Sequence, residues 1–171
     1  MSTDTQPLSI TATTTVEVPI DEAFRFFTEE ISAWWNPDHH IIEASLSHMV
    51  FEPFVGGNLY DVGTDGSECR WSRVLVYDRP HRVVFSWDID SHWSIETDPA
   101  RCSEVEVAFT AERPTTTRVV LRHLHLERHG EGLESQLDGM REGWQAGNLD
   151  LFAAAVARGW SGDVASPERS G

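Results

Sequence analysis

The sequence predicts an α+β domain: a curved antiparallel sheet of about seven strands wrapped around one long C-terminal helix, with two short helices after the first strand. Three observations carry that expectation. Apolar and polar residues alternate through an opening stretch and then through a series of stretches joined by short turns. A stripe of rings at helical spacing follows the first of them. The chain then ends in one long segment with a single apolar face. With 171 residues and 40% hydrophobic content, one core can close without disulfides or metals.

The first strand spans Ser9 to Val18, where Ile10, Ala12, Thr14, Val16 and Val18 alternate against Thr and Glu. Pro19 ends it and suits a first helical turn. From Asp21, the spacing of Phe24, Phe27, Ile31 and Trp34 predicts two short helices with a bend near Glu30, closed by Asn36-Pro37. Strands at Met49–Phe54 and Asn58–Val62 flank a Val55-Gly56-Gly57 turn. Thr64-Asp65-Gly66-Ser67 leads into Glu68–Tyr77, and Asp78-Arg79-Pro80-His81 into Arg82–Ile89. The polar stretch from Asp90 to Arg101 reads as a long loop. A last hairpin, Ser103–Glu112 and Thr116–Leu126, closes around Arg113-Pro114. Leu133, Leu137, Met140, Trp144, Leu151 and Ala155 then share one face of a helix from about Gly132 to Arg158, a span of about 40 Å. Residues 1–7 read as a flexible N-terminus, 8–158 as the domain and 159–171 as a disordered tail.

The net charge of −15 argues against nucleic acid or an anionic membrane as partner, since either would repel the surface. Two cysteines, Cys69 and Cys102, make neither a disulfide framework nor a zinc ribbon, so a reduced, cytoplasmic setting is expected. No apolar stretch approaches the length of a membrane span, and Met1 to Pro7 carries no signal core. Seven tryptophans and eight phenylalanines need either a thick core or a cavity to line.

The order of elements is that of the helix-grip fold. Val18-Pro19-Ile20-Asp21-Glu22-Ala23-Phe24 resembles the strand-to-helix opening of the START-like SRPBCC superfamily. Trp34-Trp35 before a proline, Gly56-Gly57, Arg79-Pro80 before Val-Val-Phe-Ser-Trp, and Gly143-Trp144 resemble its branch of homologues of the heat-shock protein 90 ATPase activator. The resemblance covers roughly residues 8–158 and implies the fold and a hydrophobic cavity. That branch hosts ligand carriers, resistance proteins, cyclase-like enzymes and co-chaperone domains, so fold does not settle function. The chaperone activator itself carries a further domain before this one; with the first strand at residue 9, none is expected here.

Strand alternation places Val83, Phe85, Trp87 and Ile89 on one face, with Val105, Val107 and Phe109, and with Val119, Leu121, His123 and His125. The candidate ligand-binding residues are therefore Trp71, Phe85, Trp87, Phe109, His123, Met140, Trp144 and Gly147. His123 among rings fits a pocket whose few polar atoms orient an apolar guest; it equally fits a core histidine satisfied by a neighbour. Gly139, Gly143 and Gly147 form a bare helical stripe that costs roughly 1 kcal/mol per residue relative to alanine. Either close packing on the sheet or room for a ligand beside Trp144 offsets it.

Other chemistries are weaker. His123-x-His125 with Glu127 resembles the start of a metal site but lacks further ligands, so no metal is expected. Asp38-His39-His40 reads as a solvated turn. No nucleophile elbow, phosphate loop or dinucleotide fingerprint is present, no cofactor is implied, and no base can be placed beside Cys69. An acid–base role for His123 would need a carboxylate such as Glu52 or Asp61. Arg70 and Arg73 suit an anionic aromatic guest or plain salt bridges. The expected function is binding of a small apolar or aromatic molecule. The alternatives are a cyclase- or dehydratase-like enzyme in the same cavity, and a chaperone-associated interaction module. A homodimer is compatible with all three.

Overall fold

The structure, a computed structural model, describes residues 9–36, 44–90, 92, 94–130 and 136–159. Seven strands form one antiparallel sheet: β1 Ile10–Val16, β2 Leu46–Phe51, β3 Asn58–Gly63, β4 Glu68–Asp78, β5 Arg82–Trp87, β6 Ser103–Arg113 and β7 Thr116–Leu124. Their spatial order is β1-β7-β6-β5-β4-β3-β2, so chain neighbours pair everywhere except at β1. Two helices, α1 Ile20–Glu29 and α2 Ile31–Trp34, carry the chain from β1 at one edge to β2 at the other.

Local chemistry explains the first turn. Pro19 caps α1 with an extended backbone, its carbonyl accepts from the Ala23 amide at 2.9 Å, and Asp21 and Glu22 favour the positive helix start. Glu30 leaves helical geometry (φ −108°) and breaks the helix where the ring spacing predicts a bend. Phe24 and Phe27, on one face, are fully buried.

The inward set of the sheet is the one alternation predicts: Val83, Phe85, Val105, Val107, Val119, Leu121 and His123 are all fully buried. Several boundaries differ: β1 ends at Val16 and not Val18, and β5 at Trp87 and not Ile89. β2 starts earlier than Met49 and ends at Phe51, because the Phe54 and Glu52 carbonyls are taken up in the turn by Gly57 and Phe54 amides. β7 ends at Leu124, not Leu126, because His125 adopts a left-handed conformation (φ 62°) and Leu126–His129 forms a 3₁₀ turn.

The C-terminal helix is not uniform. α3 Leu137–Trp144 passes through a π turn, Gln145–Leu149, into α4 Asp150–Gly159, together about 34 Å long at 1.5 Å per residue. Residues Gly132 and Leu133, assigned to it from sequence, lie outside the described residues, as do residues 1–8, Pro37, Asp38-His39-His40 and 160–171. The π turn is held from both sides. The Gln145 side chain accepts from the Thr13 amide at 3.1 Å and donates to the Thr13 carbonyl at 3.0 Å, satisfying the open edge of β1. Asn148 Oδ1 accepts from the Asn36 amide at 3.4 Å, tying the helix to the end of α2. Among the described residues, no helix is long and apolar enough to cross a membrane.

Candidate functional site

Four tryptophans meet where the helix crosses the sheet. Trp87 on β5 lies 5.5 Å, centroid to centroid, from both Trp71 on β4 and Trp144 at the end of α3. Trp35, at the end of α2, lies 5.7 Å from Trp71 and 5.8 Å from Trp144. His123 on β7 completes the group at 5.1 Å from the Trp87 ring. The contacts are edge-to-face or tilted, as ring quadrupoles favour.

The polar atoms in this group are fixed. Trp71 Nε1 donates to Asp61 Oδ1 at 3.2 Å, and Asp61 is itself buried. Trp144 Nε1 donates to His123 Nδ1 at 3.0 Å. An indole nitrogen only donates, so His123 Nδ1 carries a lone pair and the ring proton sits on Nε2. That proton faces Ser103 Oγ at 2.8 Å, and the Ser103 hydroxyl in turn faces His129 Nε2 at 2.6 Å. The donors therefore run one way: Trp144, His123, Ser103, His129. His129 Nδ1 ends the series buried and, among the described residues, without a partner.

Electrostatics agree with this order. Burial, with a smaller contribution from His129, pushes the His123 pKa down to about 3, so the ring is neutral at physiological pH. Burial also lowers the pKa of His129, against the opposing pull of Glu96 and Asp90. Cys102, buried beside Asp88, is pushed up to about 12, and burial raises Cys69 too, so both thiols are weak nucleophiles.

Of the residues singled out from sequence, Trp71, Trp87, His123 and Trp144 come together. Phe85 is fully buried but its ring packs on Phe51 at 6.0 Å. Phe109 belongs to the other end of the core, where it meets Phe24 at 5.1 Å and Phe27 at 5.8 Å. Met140 is half-buried against the core, and Gly147 is half-buried within the π turn. The glycine stripe is not packed uniformly: Gly139 is exposed, with open space where a Cβ would sit, whereas Gly143 and Gly147 are half-buried, with the π turn beginning between them at Gln145.

His123-x-His125 does not form a ligand pair, because the left-handed His125 leaves the strand face and both His123 nitrogens are engaged. The carboxylate partnership suggested for His123 fails likewise. Glu52 accepts from the Asn58 amide at 2.7 Å, and Asp61 holds Trp71. Arg70 pairs with Glu68 at 2.9 Å and lies over the Tyr60 ring, while Arg73 makes a two-pronged pair with Asp88 at 2.9 and 3.0 Å.

Rings fill the space between sheet and helix: Trp35, Trp71 and Trp144 are each 5% exposed or less. Open space lies beside them. A groove of about 390 Å³ runs between α2 and the edge strand β2, lined by Ser32, Trp35, Ser45, Leu46, Ser47, His48 and Met49. Sequence reasoning did not assign Trp35, Ser103 or His129 to the site, and it named Asp61 only as a carboxylate for His123, not as the acceptor that holds Trp71. Ser103 was reachable, since it shares the alternation of Val105 and Val107; His129 was not, since its place depends on the left-handed turn at His125.

No curated protein matches the chain. Among solved structures, the chain is 36% identical to the anthrahydroquino-γ-pyrone synthase Txn09 complexed with SUM, over 86% of this chain and 96% of that one, with a TM-score of 0.61. PFC0360w, an HSP90 activator from Plasmodium falciparum, is 22% identical over 88% of this chain and 94% of its own, with a TM-score of 0.58. A protein from Arthrobacter aurescens, 18% identical, matches 94% of this chain and 92% of its own at a TM-score of 0.63. The last two show likeness of fold alone. The family model described as Activator of Hsp90 ATPase homolog 1-like protein spans residues 17–157, nearly all of the sheet and its helices, and the chain belongs to that family.

Proposed function

We propose that this protein binds a small aromatic molecule at the tryptophan group between the sheet and the C-terminal helix, working in the reducing cytoplasm without a cofactor. The observation that carries this reading is the combination of clustered indoles with polar atoms held in fixed orientation. Trp71 is oriented by Asp61, and Trp144 by His123, in a region otherwise made of rings. Ligand sites pair apolar walls with a few oriented polar groups in this way. The groove beside Trp35 supplies a volume within the usual range for small-molecule sites. Native mass spectrometry of the purified protein, followed by thermal denaturation with hydroxylated aromatics, tests the reading. A co-purifying small molecule, or a Tm raised by such a compound, supports it. An empty protein whose Tm no aromatic moves would sink it.

Catalysis on such a ligand is the second reading, favoured by the 36% identity with a synthase across 96% of that chain. In that case His123 is not the acid that gives up a proton at neutral pH, since it is neutral and both of its nitrogens are occupied. Its part is to hold the Trp144 indole. A new product mass on incubation with anthrahydroquinone-type substrates, retained in His123→Gln, is the expected outcome. A product lost in His123→Gln while Trp144 fluorescence stays unchanged would contradict the holding role.

A further inference from the structure

The polar series behind Trp144 ends at His129, a residue brought there by an unusual path. His125 leaves β7 in a left-handed conformation (φ 62°) that side chains disfavour. The 3₁₀ turn that follows, Leu126–His129, is then clamped to the start of β6. Arg128 Nη1 donates to the Cys102 carbonyl at 3.3 Å and lies 3.6 Å from the Glu104 carboxylate. His129 grips the residue between them, Ser103, at 2.6 Å and is 5% exposed.

We propose that His129 is the positioning residue of the tryptophan site: neutral, it fixes the direction of the donor series, and protonated, it reverses the series and releases Trp144, weakening ligand binding. This rests on the ligand-binding reading above. Hydrogen counting sets the direction. Trp144 only donates, so His123 keeps a lone pair on Nδ1 and its proton on Nε2. Ser103 Oγ accepts that proton and gives its own hydrogen to His129 Nε2. Neutral His129 then holds its proton on Nδ1, the buried donor that, among the described residues, has no partner. Charged His129 donates from both nitrogens and can accept nothing. One solvent proton reverses the series. The Ser103 hydrogen stays on His129 Nε2, the His123 Nε2 proton moves to Ser103, and the incoming proton ends on His123 Nδ1. His123 and Trp144 then meet donor against donor, and the indole loses its anchor.

The surroundings suit a group that responds to acid. Burial holds the His129 pKa below the ordinary histidine value; Glu96, Asp90 and Asp88 pull the other way, and Arg101 adds to burial. Each of these charges has another partner: Glu96 with Arg101, Asp88 with Arg73, and Asp90 with the His92 and Ser94 amides. Arg128 and Glu104, on the turn and on β6, pair with each other, and His123 faces the ring from β7 through Ser103.

Imidazole nitrogen-15 NMR of the ligand-free protein reads the series directly. At pH 7 His123 carries its proton on Nε2 alone and His129 on Nδ1 alone. Acid moves the His123 proton to Nδ1 over the same range in which His129 becomes charged. Fluorescence titration with 1,8-dihydroxyanthraquinone reads the consequence. His129→Leu binds the probe about tenfold more weakly at pH 7. His129→Gln, whose amide oxygen accepts but never charges, restores most of that affinity and removes the loss the wild type shows on acidification. A merely structural role would leave the acid response of His129→Gln like that of the wild type, which overturns the proposal. So would a His129 proton on Nε2 at pH 7, a His123 proton that stays on Nε2 once His129 is charged, or a His129 still neutral when acid unfolds the protein. These NMR outcomes need no variant and no ligand. Tautomers as expected, with no probe binding in any of these proteins, would keep the switch and sink the ligand reading alone.

Discussion

The two ends of the core are packed alike and built differently. Around α1, Phe24, Phe27, Phe109 and Phe152 meet at 5.1 to 5.8 Å with steep interplanar angles. Under the C-terminal helix, Trp71, Trp87, Trp144 and His123 meet at 5.1 to 5.8 Å in the same edge-on manner. The first group is hydrocarbon and has nothing to satisfy. In the second, indole and imidazole nitrogens are buried and each must find a partner. A core needs only the first kind of packing. A region that accepts the demands of the second is one where oriented polar atoms matter, and it is also the end that adjoins the groove.

The contrast can be broken most forcefully at the phenylalanine end. Phe27→Ala removes a fully buried ring and should cost about 3–5 kcal/mol in urea denaturation. Its effect on ligand affinity, measured on the folded fraction, should be small. At the tryptophan end, His123→Leu keeps the volume apolar but leaves the Trp144 N–H and the Ser103 hydroxyl without their acceptor and donor. A loss of about 2–4 kcal/mol is expected. A neutral or stabilising result would mean that the polar series is not formed.

Acidity separates the two ends without mutation. The folded-state pKa of His123 lies below that of an unfolded histidine, so the unfolded chain takes up the proton first. Its contribution is fully present above about pH 6.5 and is lost as the pH falls toward 3, amounting to about 2 kcal/mol by pH 5. Urea midpoints at pH 7 and pH 5 measure this. In His123→Leu the difference should shrink to what His129, also lowered by burial, still supplies. The phenylalanine end contributes nothing to it. The smallest effect lies outside both regions. Gly139→Ala adds a methyl into open space on α3 and should stabilise by up to about 1 kcal/mol, read as a raised Tm.

The fold was legible because its signals are local. Alternation through Val105–Phe109 and Val119–His123 identified the inward face, and the spacing from Phe24 to Trp34 located the bend at Glu30. The site was only partly so. Trp71, Trp87, His123 and Trp144 could be brought together because strand faces and a helical face follow from period alone. Phe109 has the right face but sits too far along β6, beside α1, and period says nothing about position along a strand. The end of β7 turns on one left-handed residue, His125, and the helix phase on one π turn. Each is a single-residue departure that no pattern of apolar spacing records.

The most direct test is an equilibrium titration of intrinsic tryptophan fluorescence with 1,8-dihydroxyanthraquinone, in the wild type and in Trp87→Leu. Trp87 touches Trp71, Trp144 and His123, so it reports on the centre of the group. Saturable one-to-one quenching in the wild type, weakened about tenfold or more in Trp87→Leu, is the expected result. Quenching that never saturates, or that saturates identically in Trp87→Leu, would contradict a ligand site at the tryptophan end.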